Sequence, residues 1–240
     1  MADAPNPDIR SGELPDELRV FDHGFVRLDA AMADDLSVVN GARVSFAVRK
    51  EQMDERDAGL IRFLMRERHG SPFEHNAFRF HIRTPIFVAR EWFRHRFSSF
   101  NEESARYHQL DPDFYSPSPR AVRTQVGKPG SYTFEPTEEP VAQETIATFR
   151  RINDQLYAEY EALIQKGVAK ELARAVLPFG IYTQFYWTVN ARSLMNFLSL
   201  RNAENAQYEI RTYAQAVELL FARKMPVTYE SFVQFGRQVP

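Results

Sequence analysis

The chain has 240 residues, 44% hydrophobic and 26% charged, which is enough apolar material to bury one sizeable core. A net charge of -2 argues against a general polyanion binder, and the absence of cysteine excludes disulfides, thiolate metal sites and a thiol nucleophile together. No apolar run reaches the roughly 18 residues of a membrane-crossing helix, and Met1 to Arg10 lacks the apolar centre of a signal peptide, so a cytoplasmic protein is expected.

Residues 1–19, with Pro5, Pro7 and Pro15 and a local acidic excess, read as a flexible tail, and 20–240 as a single domain. Phe25 to Leu28 reads as a short strand. Asp34-Asp35 opens a helix to about Ala42. Over 55–68, Leu60, Ile61, Leu64 and Met65 recur at helical spacing and Gly70 suits the stop. Phe78 to Arg83 alternates strictly, as a half-buried strand does. Thr84-Pro85 reads as an N-cap followed by proline at the first helical position, with a helix from Ile86 to about Arg96. The polar stretch after it reads as a loop or broken turn. Residues 111–140, with six prolines and two glycines, read as an irregular excursion. An amphipathic helix is expected over 140–166 and a shorter one before Pro178. Ile181 to Val189 reads as a strand or buried element. Asn190 suits the N-cap of a helix through Leu200, and a last helix spans 205–224, stopped near Pro226. Helices with few strands make the class α+β.

The most informative segment is Arg94 to Tyr107. It packs three Arg, one His, two Glu, one Asn and three Ser into fourteen residues, a density that no packing need explains. Arg supplies planar, permanently charged donor forks suited to phosphate. Ser and Asn can complete such a cradle, and the carboxylates can orient the Arg forks or accept from ribose and base. The segment therefore reads as a site for a phosphorylated small molecule, with a nucleotide as the expected class. The bland reading is a solvated loop of surface ion pairs. Ser104 as a nucleophile needs an adjacent base; none is identifiable, so a binding role is expected. Asn190, Arg192 and Asn196 stand at or near a helix start, where side chains and free backbone N–H groups suit phosphate or adenine, with ordinary capping as the bland reading. There is no G-x-G-x-x-G after a strand, no P-loop, no H-E-x-x-H and no metal-like His spacing.

Arg94-His95-Arg96, seven residues, then Ser104 resembles the signature of flavin-dependent thymidylate synthases. Ser71-Pro72-Phe73-Glu74-His75 is similar to an upstream block of that family, and Trp187 to Leu198, Leu200-Arg201 and Ala206 to Ile210 to a downstream one. The match runs from about Ser45 to Pro226. It implies a mixed β-sheet with flanking helices, assembled as a homotetramer with active sites shared between chains. It implies methylation of deoxyuridylate (dUMP) to thymidylate (dTMP), with 5,10-methylenetetrahydrofolate as one-carbon donor, reduced flavin adenine dinucleotide (FAD) as hydride source and NADPH reducing the flavin. The resemblance assigns dUMP contacts to Glu91, Arg94, Glu102, Ser104, Ala105, Arg106, Arg174 and Arg201. It assigns FAD contacts to Ser45, Ser71, Glu74, Arg94, His95, Arg96, Phe97, Glu102, Asn190, Arg192 and Asn196, and it places His69 beside flavin and folate.

With no thiolate to attack the pyrimidine, C5 must be activated another way. Arg201, at the matching family position, is the expected decisive group with His69, because a fixed cation near N3 and O2 favours the enolate-like base. Two positions depart from the family pattern. Glu91 stands where Gln is common and is expected to accept from base or ribose or to pair with Arg94; Asn205 replaces a common His. The competing readings are a nucleic-acid-binding module, a flavin- and nucleotide-binding protein of the same fold with altered or lost methyl transfer, and a structural protein without ligand. Nucleic-acid and membrane partners are not expected.

Overall fold

The computed structural model describes residues 15–129 and 131–240. In chain order, β1 (Glu17–Val20) and β2 (Gly24–Met32) pair antiparallel, with Leu18 opposite Val26. α1 (Asp35–Arg43) starts where the Asp34 carboxylate accepts from the Ser37 N–H at 2.6 Å. α2 (Glu55–Arg66) opens with a reciprocal cap between Asp54 and Asp57. α3 (Ser71–Glu74) is one turn, followed by β3 (Ala77–Pro85), α4 (Ile86–Trp92) and β4 (Ser98–Glu102). β5 (Arg123–Lys128) and β6 (Ser131–Pro136) form a two-stranded hairpin. α5 (Glu139–Gln165) and the single turn α6 (Lys170–Ala173) precede β7 (Tyr182–Asn190), and α7 (Ala191–Arg201), α8 (Tyr208–Lys224) and α9 (Pro226–Gln234) complete the chain.

These elements gather into two compact units. One holds the residues through Thr84, Val88–Glu102 and Gln184–Pro240; the other holds Pro85–Phe87 and Glu103–Thr183. The first is organised by a five-stranded sheet of order β1-β2-β3-β7-β4, in which β1/β2, β2/β3 and β4/β7 are antiparallel. Alternation in β3 buries Phe78, Phe80 and Ile82, while Arg79, His81 and Arg83 take the other face. On the buried face Phe80 stacks on Trp187 at 5.6 Å, and Trp92 meets Trp187 at 5.3 Å and Phe197 at 4.7 Å. Full burial of one such ring stabilises by about 1.5–3 kcal/mol, so this aromatic stack is the main anchor for the end of α4. In the second unit, Ala105, Leu110 and Ile181 form a small core with Ile86, Phe114 and Leu177 beside it. α5 is tied to it through the Tyr157 hydroxyl, which donates to the Leu110 carbonyl at 2.9 Å.

An α+β fold with flanking helices matches the expectation, and so do α1, α5, α7 and the strand character of β7. Several local expectations fail. Glu17 to Arg19 belong to β1 and not to a tail; residues 1–14 lie outside the described residues. Thr84-Pro85 completes β3, where the end of a strand tolerates a missing N–H. α4 stops at Trp92, four residues short of Arg96, and the polar stretch beyond contains β4, whose backbone bonds come from β7. The expected excursion contains the β5–β6 hairpin; Gly127, at φ +107, takes a conformation that L side chains rarely adopt. Pro226 opens α9 as well as ending α8, because proline suits a first helical turn.

A buried charge cluster braces α1 against α2. The Asp57 side chain, fully buried, accepts from Arg43 at 2.7 Å, from Lys50 and from the Asp54 N–H at 3.0 Å. Burial pushes Asp57 up, but Lys50, the Asp54 N–H and Arg43 together hold it down at about 2, against an ordinary 3.8. A depressed folded value contributes stability that is complete above the unfolded value and is lost as pH falls through the folded one. Asp57→Ala is expected to lower unfolding free energy by about 3 kcal/mol at pH 7. In urea melts, its deficit against wild type should shrink as pH falls from about 4 toward 2.

Candidate functional site

The Arg94-His95-Arg96 triplet sits in a tight turn between two fixed points. Trp92 is fully buried at the end of α4, and Ser98 opens β4 opposite Val189 of β7. The His95 N–H donates to the Trp92 carbonyl at 3.0 Å, and the Ser98 hydroxyl donates to the His95 carbonyl at 2.6 Å. Across from the turn, β7 passes into α7 through Asn190, whose side chain accepts from the Ser193 N–H at 2.8 Å. Between turn and helix lies a cavity of about 340 Å³ with Arg94, His95, Arg96 and Phe97 on one side and Asn196, Leu200 and Arg201 on the other. The Phe97 ring is 90% exposed, so an apolar face is offered beside the charged groups.

Arg201 ends α7, where a cation is favoured. It donates to His95 Nε2 at 3.0 Å, to Glu91 Oε2 at 3.2 Å and to the Glu91 carbonyl at 3.4 Å. Glu91 thus pairs with Arg201 and not with Arg94, the pairing that the sequence offered as an alternative to accepting from base or ribose. Burial raises the Glu91 carboxyl above its usual range; Arg201 and Arg94 oppose that shift, and Glu209 adds to it. Burial first, and then Arg201, push His95 down to about 4.

A second group of expected residues meets around the start of α7. Arg192 donates to Glu74 at 2.5 Å and, through Nε, to the Pro240 carbonyl at 2.6 Å. A Cβ on Gly70 would lie 2.5 Å from Arg192 Nε, so the bare backbone there leaves room for the guanidinium. His69 is exposed, edge-on to Phe63 at 5.8 Å. Ser71 opens α3, and Ser45 lies in an exposed 3-10 turn between Val44 and Phe46.

The second unit holds Ser104, Ala105, Arg106 and Arg174. The Ser104 hydroxyl accepts from the Arg106 N–H at 3.3 Å. Arg106 pairs with the Glu171 carboxylate at 3.3 Å, and Arg174 Nε donates to the Glu171 carbonyl at 3.4 Å. Ala105 is buried in the small core. Glu102 is on exposed β4 in the first unit. Sequence reasoning missed Glu171, which joins the two Arg, and Glu209, buried near Glu91. Arg174 meets the Glu171 backbone carbonyl, which no residue type signals, whereas Glu209 lies within the Ala206 to Ile210 block already singled out in the sequence.

Chemically, exposed guanidinium groups beside an apolar wall suit an anionic, aromatic ligand, and the half-buried Arg201 suits a polarised heteroaromatic ring. Among the described residues no group of three or more His, Cys, Asp or Glu could hold a metal ion, and no helix is long and apolar enough to cross a membrane. The family described as Thymidylate synthase complementing protein matches residues 27–227. A flavin-dependent thymidylate synthase of Thermosipho melanesiensis is 45% identical over 220 residues, covering 92% of this chain and 95% of that protein. One from Thermus thermophilus is 44% identical over 223 residues, covering 92% and 79%. The solved UMP/dUMP methylase PolB from Streptomyces cacaoi, bound with 5-Br dUMP, superposes with a TM-score of 0.84 at 44% identity, covering 90% of this chain and 97% of that one.

Proposed function

The chain belongs to the flavin-dependent thymidylate synthases, and from that premise we propose that it methylates dUMP to dTMP with FAD as its redox cofactor, 5,10-methylenetetrahydrofolate as one-carbon donor and NADPH as reductant. The observation that carries the reading is Arg201, held at one end of a cavity whose other groups are donors for phosphate and an exposed aromatic ring. No cysteine is present to attack the base, so activation falls to charge.

The residues fit a flavin. Arg94, Arg96 and Arg192 are exposed cations, Asn196 lines the cavity, and Phe97 presents an open ring. In this proposal Ser45, Ser71, Glu74, His95, Glu102 and Asn190 complete that binding set, and His69 lies where flavin and folate meet. When bound, the flavin supplies the hydride that brings the transferred carbon to the methyl level. The chain's own residues bind, orient and polarise. Arg94, Ser104, Arg106 and Arg174 hold the nucleotide, with Glu91, Glu102 and Ala105 beside it, and Arg201 stabilises negative charge spreading over N3 and O2. One charge pair at 4 Å gives about 4 kcal/mol at an effective dielectric near 20, or about three pKa units.

We further propose a single functional domain that takes in β1 from Glu17 onward and works as a cytoplasmic homotetramer with shared sites. The family resemblance supports this, and the exposed rings of Phe46 and Phe97 are available for burial by a second chain or by the flavin. A flavin-loaded, fully active monomer in sedimentation refutes the tetramer. The main test is the visible spectrum under anaerobic conditions. A flavin band should bleach with NADPH and return, with dTMP, when dUMP and methylenetetrahydrofolate are added. Protein that gains no band with added FAD, or a bleached band that returns no dTMP, rejects the reading. Arg192→Ala is expected to retain about tenfold less flavin after dialysis, for one lost charge-assisted contact, as read from the absorbance ratio of the purified protein.

A further inference from the structure

The Arg201 guanidinium is gripped from two sides by residues only four apart in sequence. His95 takes its Nε–H, and Glu91 takes one N–H on each terminal nitrogen, through its carboxylate and its backbone carbonyl. A guanidinium has five N–H donors and no acceptor. The 3.0 Å contact therefore requires an unprotonated Nε2 and places the His95 ring proton on Nδ1. The ring is itself held, edge against buried Phe197 with centroids 5.0 Å apart. Its backbone is tied at both N–H and carbonyl by Trp92 and Ser98.

We infer that Glu91 and His95 are positioning residues, a two-point clamp that presents Arg201 to the pyrimidine ring, with His95 acting as a neutral acceptor of fixed tautomer; the inference rests on the function proposed above. The clamp leaves one N–H on each terminal nitrogen for a ligand in the cavity. The surrounding charges agree with a neutral ring. Arg201 faces it directly, Arg94 and Arg96 flank it in the chain and line the same cavity, and the Glu91 carboxylate lies on the guanidinium, with Glu209 acting on Glu91. A protonated His95 would set two cations 3.0 Å apart and break the bond that aims Arg201.

The test uses the full chain with FAD bound. His95→Ala should lower kcat for dTMP formation about 100-fold, the expected effect of misplacing a reacting group by about 1 Å, with KM for dUMP changed less than about threefold. His95→Gln, which keeps an acceptor, should recover activity to within about fivefold of wild type. In an Arg201→Lys background, where the Nε donor is gone, His95→Ala should add less than about threefold. An equal loss in both backgrounds, or no rescue by Gln, overturns the clamp and leaves His95 acting elsewhere. Imidazole nitrogen shifts, with His95 assigned by its loss in His95→Gln, read the clamp even if the protein forms no dTMP. The expected spectrum is an Nδ1-protonated ring that stays neutral to pH 5 and titrates higher in Arg201→Ala. An Nε2-protonated ring, or titration near 6.5 in wild type, overturns the inference whatever the enzyme's activity.

Discussion

Arg201→Ala should lose about three orders of magnitude in kcat at saturating dUMP while still carrying flavin. The size follows from the charge term: about 4 kcal/mol corresponds to roughly a thousandfold in rate. It is an upper bound, because Glu91 already neutralises part of the guanidinium charge. Arg201→Lys should fall between, keeping the charge but losing the fork that meets both His95 and Glu91. Circular dichroism is needed alongside, since removing Arg201 leaves a half-buried carboxylate beside buried Glu209. A folded, flavin-loaded Arg201→Ala protein with less than a tenfold loss, read as dTMP by chromatography, removes Arg201 from the mechanism.

The largest stability effect is expected at Trp92. Its ring is fully buried and touches Phe185, Trp187, Phe197 and Tyr213. Trp92→Ala leaves a cavity that a rigid strand and two helices cannot close, so a loss of about 3–5 kcal/mol follows. For a chain of this length that lowers Tm by roughly 6–20 °C. Trp92→Phe, which retains the stack on Phe197, should lose less than half as much. Because the buried Trp92 ring fixes the end of α4 from which the Arg94–Arg96 turn departs, activity in Trp92→Ala should fall even at temperatures where the protein is fully folded. Unfolding followed by calorimetry, with activity assayed 20 °C below each midpoint, separates the two. A Tm within 2 °C of wild type contradicts the anchoring role.

Much of the chain could be read without coordinates. β3 was legible because alternate residues of Phe78 to Arg83 meet opposite environments, and α5 because its apolar positions recur at helical spacing. The caps at Asp34 and Asn190 were legible because a short polar side chain answers its own neighbours' N–H groups. The charge-dense segment from Arg94 to Tyr107 stood out as a candidate site for the same local reason: its composition exceeds any packing need.

What stayed hidden depends on partners far along the chain. Ser98 to Glu102 has no periodicity that separates it from a loop; it becomes β4 because β7, some ninety residues away, supplies its backbone bonds. The β5–β6 hairpin lies where Pro and Gly conceal pairing. Glu91 could have accepted from any nearby cation, and only the packing of α4 against the end of α7 selects Arg201 over Arg94. The same packing decides the ring tautomer of His95. Residue type and spacing settle what chemistry a side chain can offer, because donors, acceptors and charges belong to the residue. Which partner receives it depends on distances of about 3 Å between segments a hundred residues apart, and those exist only once the chain has folded.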